Sequence, residues 1–411
     1  MTKLSRRNFL HSTGMAGLAT LATPLIARAQ SDTIKIGGLH DLSGALDSVG
    51  VPMNQVFKLA IDEINDAGGL LGKMVEPVIY DPQSNMTLYS QYATQMALKD
   101  RVDVVMGGIT SASRETIRPI FNRYKTFYFY NTQYEGGVCD RNEITLGTTP
   151  AQTVARLIPY GMNLYGKKVY TIAADYNYGH ITAAWVKRYV EENGGEVIET
   201  EFFPLDVSQF GSTVSKIQGA KPDFVLSALV GTSHMGFYRQ WAAAGMKSEI
   251  PIMSTVLGAG GSDQLILTAE EGNGLTASFG YFEEIDNPTN KAFLEKVAAA
   301  YPDKDWVMSE ISEVTYEAVK IWADAVAEAG TTERDPLLEV LTSGKTYDMP
   351  AGKVKIDPKT QHAVRDVYIA ELQDQVFEIK ESFPDSPPTD TQMVCDLIEN
   401  PNLSIIADWY H

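Results

Sequence analysis

The chain has 411 residues, of which 44% are hydrophobic and 21% charged, and carries a formal net charge of -18. That length accommodates two domains, and so acidic a balance argues against nucleic acid and anionic membrane surfaces as partners. With only Cys139 and Cys395, a four-cysteine metal site is excluded; the pair can form one disulfide between the tail and the first half of the chain, or remain two thiols.

The N-terminus reads Ser5-Arg-Arg-Asn-Phe-Leu10, then an apolar run from about Gly14 to Ile26, then Ala27-Arg-Ala29. This is the pattern of a twin-arginine export signal with an A-x-A cleavage site over residues 1–29, and it implies a periplasmic destination. The run is too short to span a bilayer, and no later apolar run reaches spanning length, so no stable membrane insertion of the mature chain is expected.

Apolar strands fit near residues 33–39, 75–80, 103–107 and 127–130, with amphipathic helices near 52–67, 86–99 and 112–124 between them. A second series has helices near 152–164, 180–193, 208–218 and 232–245 and strands near 168–173, 196–202, 223–228 and 251–254. This alternation predicts βαβ units and an α/β fold of two Rossmann-like lobes with parallel sheets. After a strand at 275–279, helical patterns near 289–300 and 311–329 are expected to return to the first lobe, and segments 352–356 and 365–373 to close the second as a hairpin. The N-terminal lobe is then 30–148 plus 280–345, the C-terminal lobe 149–279 plus 346–380, and 381–411 a tail. Three hinge crossings follow, near 147–151, 274–281 and 343–352, an arrangement suited to closure on a ligand.

The two lobes echo each other. Asp103-Val-Val-Met-Gly-Gly-Ile-Thr-Ser-Ala-Ser113 and Asp223-Phe-Val-Leu-Ser-Ala-Leu-Val-Gly-Thr-Ser233 each read as a strand, a hydroxyl-rich turn and a helix start, preceded by Asn65-Asp-Ala-Gly-Gly69 and Glu192-Asn-Gly-Gly195. Turns at the carboxyl ends of parallel strands are where such folds bind ligands. Ser111, Ser113, Thr232 and Ser233 therefore either cap helices or line a shared cleft.

Catalytic patterns are missing: there is no G-x-G-x-x-G after the first strand, no Walker loop, no H-E-x-x-H and no G-x-S-x-G. No catalytic residue, metal or cofactor is expected. What the strand ends do offer is Phe127-Tyr-Phe-Tyr-Asn-Thr-Gln-Tyr-Glu-Gly-Gly137 and Ala174-Asp-Tyr-Asn-Tyr-Gly179, apolar walls with a few hydroxyls and amides suited to a small neutral ligand.

Thr110-Ser-Ala-Ser-Arg114, Tyr130-x-Thr-Gln-Tyr-Glu-Gly136, Asp175-Tyr-Asn-Tyr178, Val230-Gly-Thr232 and Phe282-x-x-Ile-Asp-Asn-Pro288 make the chain resemble the type I periplasmic binding proteins, in particular the branch that binds urea and short-chain amides. The resemblance implies a solute-binding protein that closes on its ligand and delivers it to an inner-membrane ABC permease, with no covalent chemistry. It also implies that Ser111, Tyr130, Thr132 and Tyr176 surround the amide; Thr232 and Thr255, at strand ends of the other lobe, are expected to complete the closed form. Branched-chain amino-acid binders of the same family pair the ligand ammonium with an acid of the second lobe; the matching stretch here, Met253-Ser-Thr-Val-Leu257, has none. An amino-acid binder, or an amide hydrolase or sensor on the same scaffold, are the alternative readings.

Overall fold

The computed structural model describes residues 33–408. The expected export signal lies outside the described residues, and no helix among them is long and apolar enough to cross a membrane.

The first lobe alternates β1 (Thr33–Leu39), α1 (Asp47–Asp66), β2 (Met74–Tyr80), α2 (Met86–Gln95), β3 (Val104–Gly107), α3 (Ser111–Tyr124) and β4 (Phe127–Tyr130), followed by the short β5 (Val138–Asp140) and β6 (Glu143–Thr145). Its sheet has the order β2-β1-β3-β4-β6, with every pair parallel. The second lobe runs through α4 (Val154–Tyr165), β7 (Lys168–Ala174), α5 (Asn177–Glu192), β8 (Glu196–Phe203), α6 (Gly211–Ala220), β9 (Phe224–Ala228), α7 (Thr232–Ala243), β10 (Ile252–Ser254), the single turns α8 (Asp263–Ile266) and α9 (Ala269–Gly272), and β11 (Thr276–Phe279).

α10 (Pro288–Ala300), α11 (Glu310–Ala329) and α12 (Arg334–Leu341) then return to the first lobe, where Tyr316 donates to Glu63 at 2.9 Å and Tyr301 to the Gln55 carbonyl at 2.8 Å, both on α1. The chain finishes the second sheet with β12 (Tyr347–Met349), β13 (Gly352–Ile356), β14 (Ala363–Gln373) and β15 (Val376–Ser386), leaving α13 (Thr389–Gln392) and β16 (Ser404–Ile406). β7 to β11 are parallel, whereas β12 to β15 are antiparallel, so the second sheet is mixed.

The repeated sequence unit is a repeated hydrogen-bond device. Asp103 accepts the Lys35 amide at 2.9 Å and Asp223 the Lys168 amide at 2.8 Å, so each aspartate fixes the register of the strand beside it. The Gly-Gly pairs also match: Gly69 and Gly195 donate to the carbonyls of Ile64 and Val190, ending α1 and α5 alike. Gly107, which ends β3 at φ +140, allows a close approach; a Cβ there would lie 2.2 Å from the Leu39 carbonyl.

Two expectations shift. β15 extends to Ser386, past residue 380, and holds Pro384 on an edge strand, where a missing donor is tolerated. The tail then returns to the first lobe: β16 pairs antiparallel with β5, and Cys139 is joined to Cys395 across 256 residues of sequence. The sequence left that pairing open because it carries no distance between the two thiols.

The three crossings converge on α11. Glu310 accepts the Thr148 amide at 3.1 Å and hydroxyl at 2.8 Å from the first crossing, and the Gly280 amide at 3.1 Å from the second. Glu313 accepts the Ala351 amide at 3.4 Å from the third. Arg365 on β14 lies 3.4 Å from both Glu313 and Glu317 and donates to the Leu146 carbonyl at 2.9 Å. All four charged side chains are buried, and burial raises both Glu313 and Glu317 against the pull of Arg365. Gly280 is obligatory here, since a Cβ would sit 2.6 Å from Arg365 Nε.

Arg365→Leu should destabilise the protein by roughly 3 to 5 kcal/mol, because it strands buried carboxylates; urea unfolding checks this, and a loss below about 1 kcal/mol would mean that the cluster behaves like a surface pair. The double substitution Cys139→Ser, Cys395→Ser should cost roughly 2 to 5 kcal/mol, read as a lower unfolding midpoint than that of the oxidised parent.

Candidate functional site

In each sheet the strand order reverses beside its first strand, between β1 and β3 in one lobe and between β7 and β9 in the other. The crevices at the carboxyl ends of these pairs are the places where a parallel sheet leaves room for a ligand. α3 begins at the first and α7 at the second. Both face one cleft of about 210 Å³.

The cleft is closed by contacts from lobe to lobe. Gln133 donates its side-chain amide to the Thr255 carbonyl at 2.8 Å, Trp185 donates to the Glu135 carbonyl at 3.2 Å, and the Val307 amide donates to the Gly261 carbonyl at 2.8 Å. Leu46, Val49, Ile109 and Ile311 form the apolar wall of the first lobe, and Val230, Met235 and Val256 that of the second. No lysine or arginine is among the residues lining the cleft.

Ser111 sits at the first turn of α3, but it is not the cap. Thr110 fills that role, accepting the Ser113 amide at 3.0 Å in a capping box. Ser111 is thereby released, and its hydroxyl donates to Glu135. The other Glu135 oxygen lies 3.0 Å from Arg114 Nη2, with both side chains fully buried. A carboxylate paired in this way accepts only, so the Ser111 proton points away from the cleft and its lone pairs are left for a ligand N–H. Thr132 repeats the arrangement by donating to the Gly108 carbonyl at 3.3 Å. The amides of Ser111 and Ala112, at the start of α3, have no carbonyl within the helix to receive them. The first lobe thus offers hydroxyl acceptors and amide donors side by side.

Of the six residues expected at the site, Ser111, Thr132, Tyr176 and Thr232 line the cleft. Tyr176 is half-buried and Thr232 is exposed. Tyr130 does not line it: its hydroxyl donates to the Ile109 carbonyl at 3.0 Å, and the Arg114 guanidinium lies 5.0 Å from its ring centre, so it backs the wall rather than facing a ligand. Thr255 is also set back, its hydroxyl 2.9 Å from that of Tyr178, the second tyrosine of the cleft. Burial pushes both tyrosine phenols up, Tyr178 to about 12, so they stay protonated. Sequence reasoning gave no role to Glu135, Arg114, His234 or Asp263. The first two stand inside the motifs quoted for the resemblance, which was the one signal that could have found them.

The model of the periplasmic binding protein domain matches residues 34–383. The chain belongs to the periplasmic binding protein family. Among curated proteins, this family member is 22% identical over 350 residues to a Leu/Ile/Val-binding protein homolog of Brucella melitensis, spanning 84% of this chain and 88% of that one. It is 25% identical over 355 residues to a leucine-, isoleucine-, valine-, threonine- and alanine-binding protein of Pseudomonas aeruginosa, covering 80% and 87%. Two solved structures share its fold. A solute-binding protein of an ABC transporter from Rhodopseudomonas palustris, in complex with 3,4-dihydroxybenzoic acid, has a TM-score of 0.78 at 21% identity, covering 88% of this chain and 99% of that one. The branched-chain amino acid transporter substrate-binding protein of Streptococcus pneumoniae, in complex with isoleucine, has a TM-score of 0.74 at 21% identity, covering 86% and 100%. By family the chain is therefore a periplasmic binding protein, and the relatives and structural neighbours named here are binding proteins.

Behind the Ser111 wall, Glu143 of β6 is fully buried and pushed by burial from 4.5 up to about 8, against the opposing pull of Arg114 and Arg118. The folded chain thus keeps a proton that the unfolded chain releases above about 4.5. Its contribution to stability is present in full below that value and is lost as pH rises through about 8. Relative to the parent, Glu143→Gln should gain up to about 1.4 kcal/mol per pH unit across this window. Urea unfolding of both proteins at pH 5, 6.5 and 8 reads this, and a difference that stays flat with pH contradicts it.

Proposed function

We propose that this binding protein captures a small neutral amide, of the urea or short-chain carboxamide class, between its lobes and delivers it to an inner-membrane ABC permease. The observation that carries the reading is the hydrogen bond from Ser111 to Glu135, which commits the serine proton and turns its oxygen into an acceptor. A carboxamide or urea supplies what the wall lacks: N–H donors for Ser111 and Thr132, and a carbonyl for the free amides of α3. A carboxylate brings only acceptors, and no lysine or arginine lines the cleft to pair with it. Tyr176 of the second lobe covers the bound group once the lobes close.

Closure then follows as a population shift. The ligand contacts both lobes only in the closed form, so its differential affinity sets the balance between the two states. The permease is inferred from the family, whose members work with such transporters.

Calorimetric titration with the isosteric pair acetamide and acetate tests the reading, with leucine and urea alongside. Acetamide should bind more tightly than acetate, and Ser111→Ala should weaken it by about three- to tenfold, one neutral hydrogen bond. Tighter binding of acetate would overturn the polarity assigned to Ser111. Binding of leucine in preference to every amide would instead place the chain with its amino-acid-binding relatives.

A further inference from the structure

The cleft is larger than an amide group needs. Its volume of about 210 Å³ exceeds the roughly 150 Å³ that admits benzene in an engineered apolar cavity. Urea and acetamide are each smaller than benzene, so an amide head against Ser111 leaves space unfilled.

That space is not uniformly apolar. His234 of α7 and Asp263 of α8 line the cleft from the second lobe, in the lobe opposite Ser111. His234 Nε2 lies 3.5 Å from Asp263 Oδ1, and Asp263 Oδ2 accepts the Gly258 amide at 3.0 Å. The His234 ring is 4% exposed and its Nδ1 has no partner. Burial would raise the Asp263 carboxyl, but His234 and the amides of Gly258 and Gly260 hold it below its usual range. A carboxylate has about four lone-pair directions, and these contacts leave some of them open. Its side chain remains 18% exposed, unlike the fully buried Glu135.

We infer that the ligand is a bifunctional amide whose far end carries a hydrogen-bond donor of the hydroxyl class, which Asp263, oriented by His234, accepts across the cleft from Ser111. This rests on the amide reading of the Ser111 end and deepens it. Ile109, Val230, Met235 and Val256 line the same cleft and match an apolar middle segment. A ligand bonded to Ser111 on one lobe and Asp263 on the other also ties closure to ligand length, because a short amide touches only one of the polar ends.

Two near-isosteric pairs test this on the unmodified protein: 4-hydroxybenzamide against 4-methylbenzamide, and the flexible 4-hydroxybutanamide against pentanamide. In at least one pair the hydroxyl should improve affinity about tenfold or more, the effect of a hydrogen bond to a charged acceptor. Asp263→Leu should erase that margin. The inference is overturned if neither hydroxyl improves binding, or if the margin survives in Asp263→Leu. Failure of the amide reading looks different: 4-hydroxybenzoate would bind more tightly than 4-hydroxybenzamide, whatever the hydroxyl contributes.

Discussion

Glu310 and Glu313, two acidic residues of one helix, bond to all three connections between the two lobes. Glu310 takes amides from the first and second crossings, Glu313 takes one from the third, and Glu317 shares Arg365 with Glu313. Carboxyl groups buried this deeply are costly unless hydrogen-bonded, and backbone amides of the crossings supply bonds to Glu310 and Glu313. The glycine at 280 shows how little room is left, since any side chain would meet the guanidinium.

A second buried network decides the chemistry of the cleft. Arg114 pairs with Glu135, Glu135 takes the Ser111 proton, and the guanidinium lies 4.4 Å from the Tyr134 ring centre. The first lobe is also pinned from outside, by the disulfide at Cys139 and by the pairing of β16 with β5. The first-lobe wall of the cleft is thus backed by buried pairs, while the second lobe lines it with Tyr176, Tyr178, Ala259, Gly260 and Asp263. This division of labour follows from where the buried charges are. Among the described residues, the acid–base pairs with both side chains fully buried lie behind the first lobe and at the crossings.

Much of the architecture was legible because it depends on local pattern. The doubled Asp-to-Ser unit announced two lobes, and its aspartates proved to do the same work in each, on Lys35 and on Lys168. Cleft residues at strand ends could be named, since the end of a parallel strand is a property of its sequence. Tyr130 shows the limit. Alternation along Phe127-Tyr-Phe-Tyr130 places Tyr128 and Tyr130 on one face, but whether that face meets ligand or α3 depends on how far away the helix packs. The same holds for β15, whose edge position made Pro384 harmless, and for Asp263, which reaches the cleft by way of the turn at Gly258.

By itself, the sequence determined the α/β alternation, the two lobes and the strand ends that would carry a site, because periodicity and turn chemistry act over a few neighbouring residues. The tertiary structure alone decided which way the Ser111 proton points, that Cys139 meets Cys395, and that Glu310 and Glu313 of α11 bond to the crossings. Each of these joins residues far apart in the chain, and only packing sets the distances on which hydrogen bonds, ion pairs and disulfides depend.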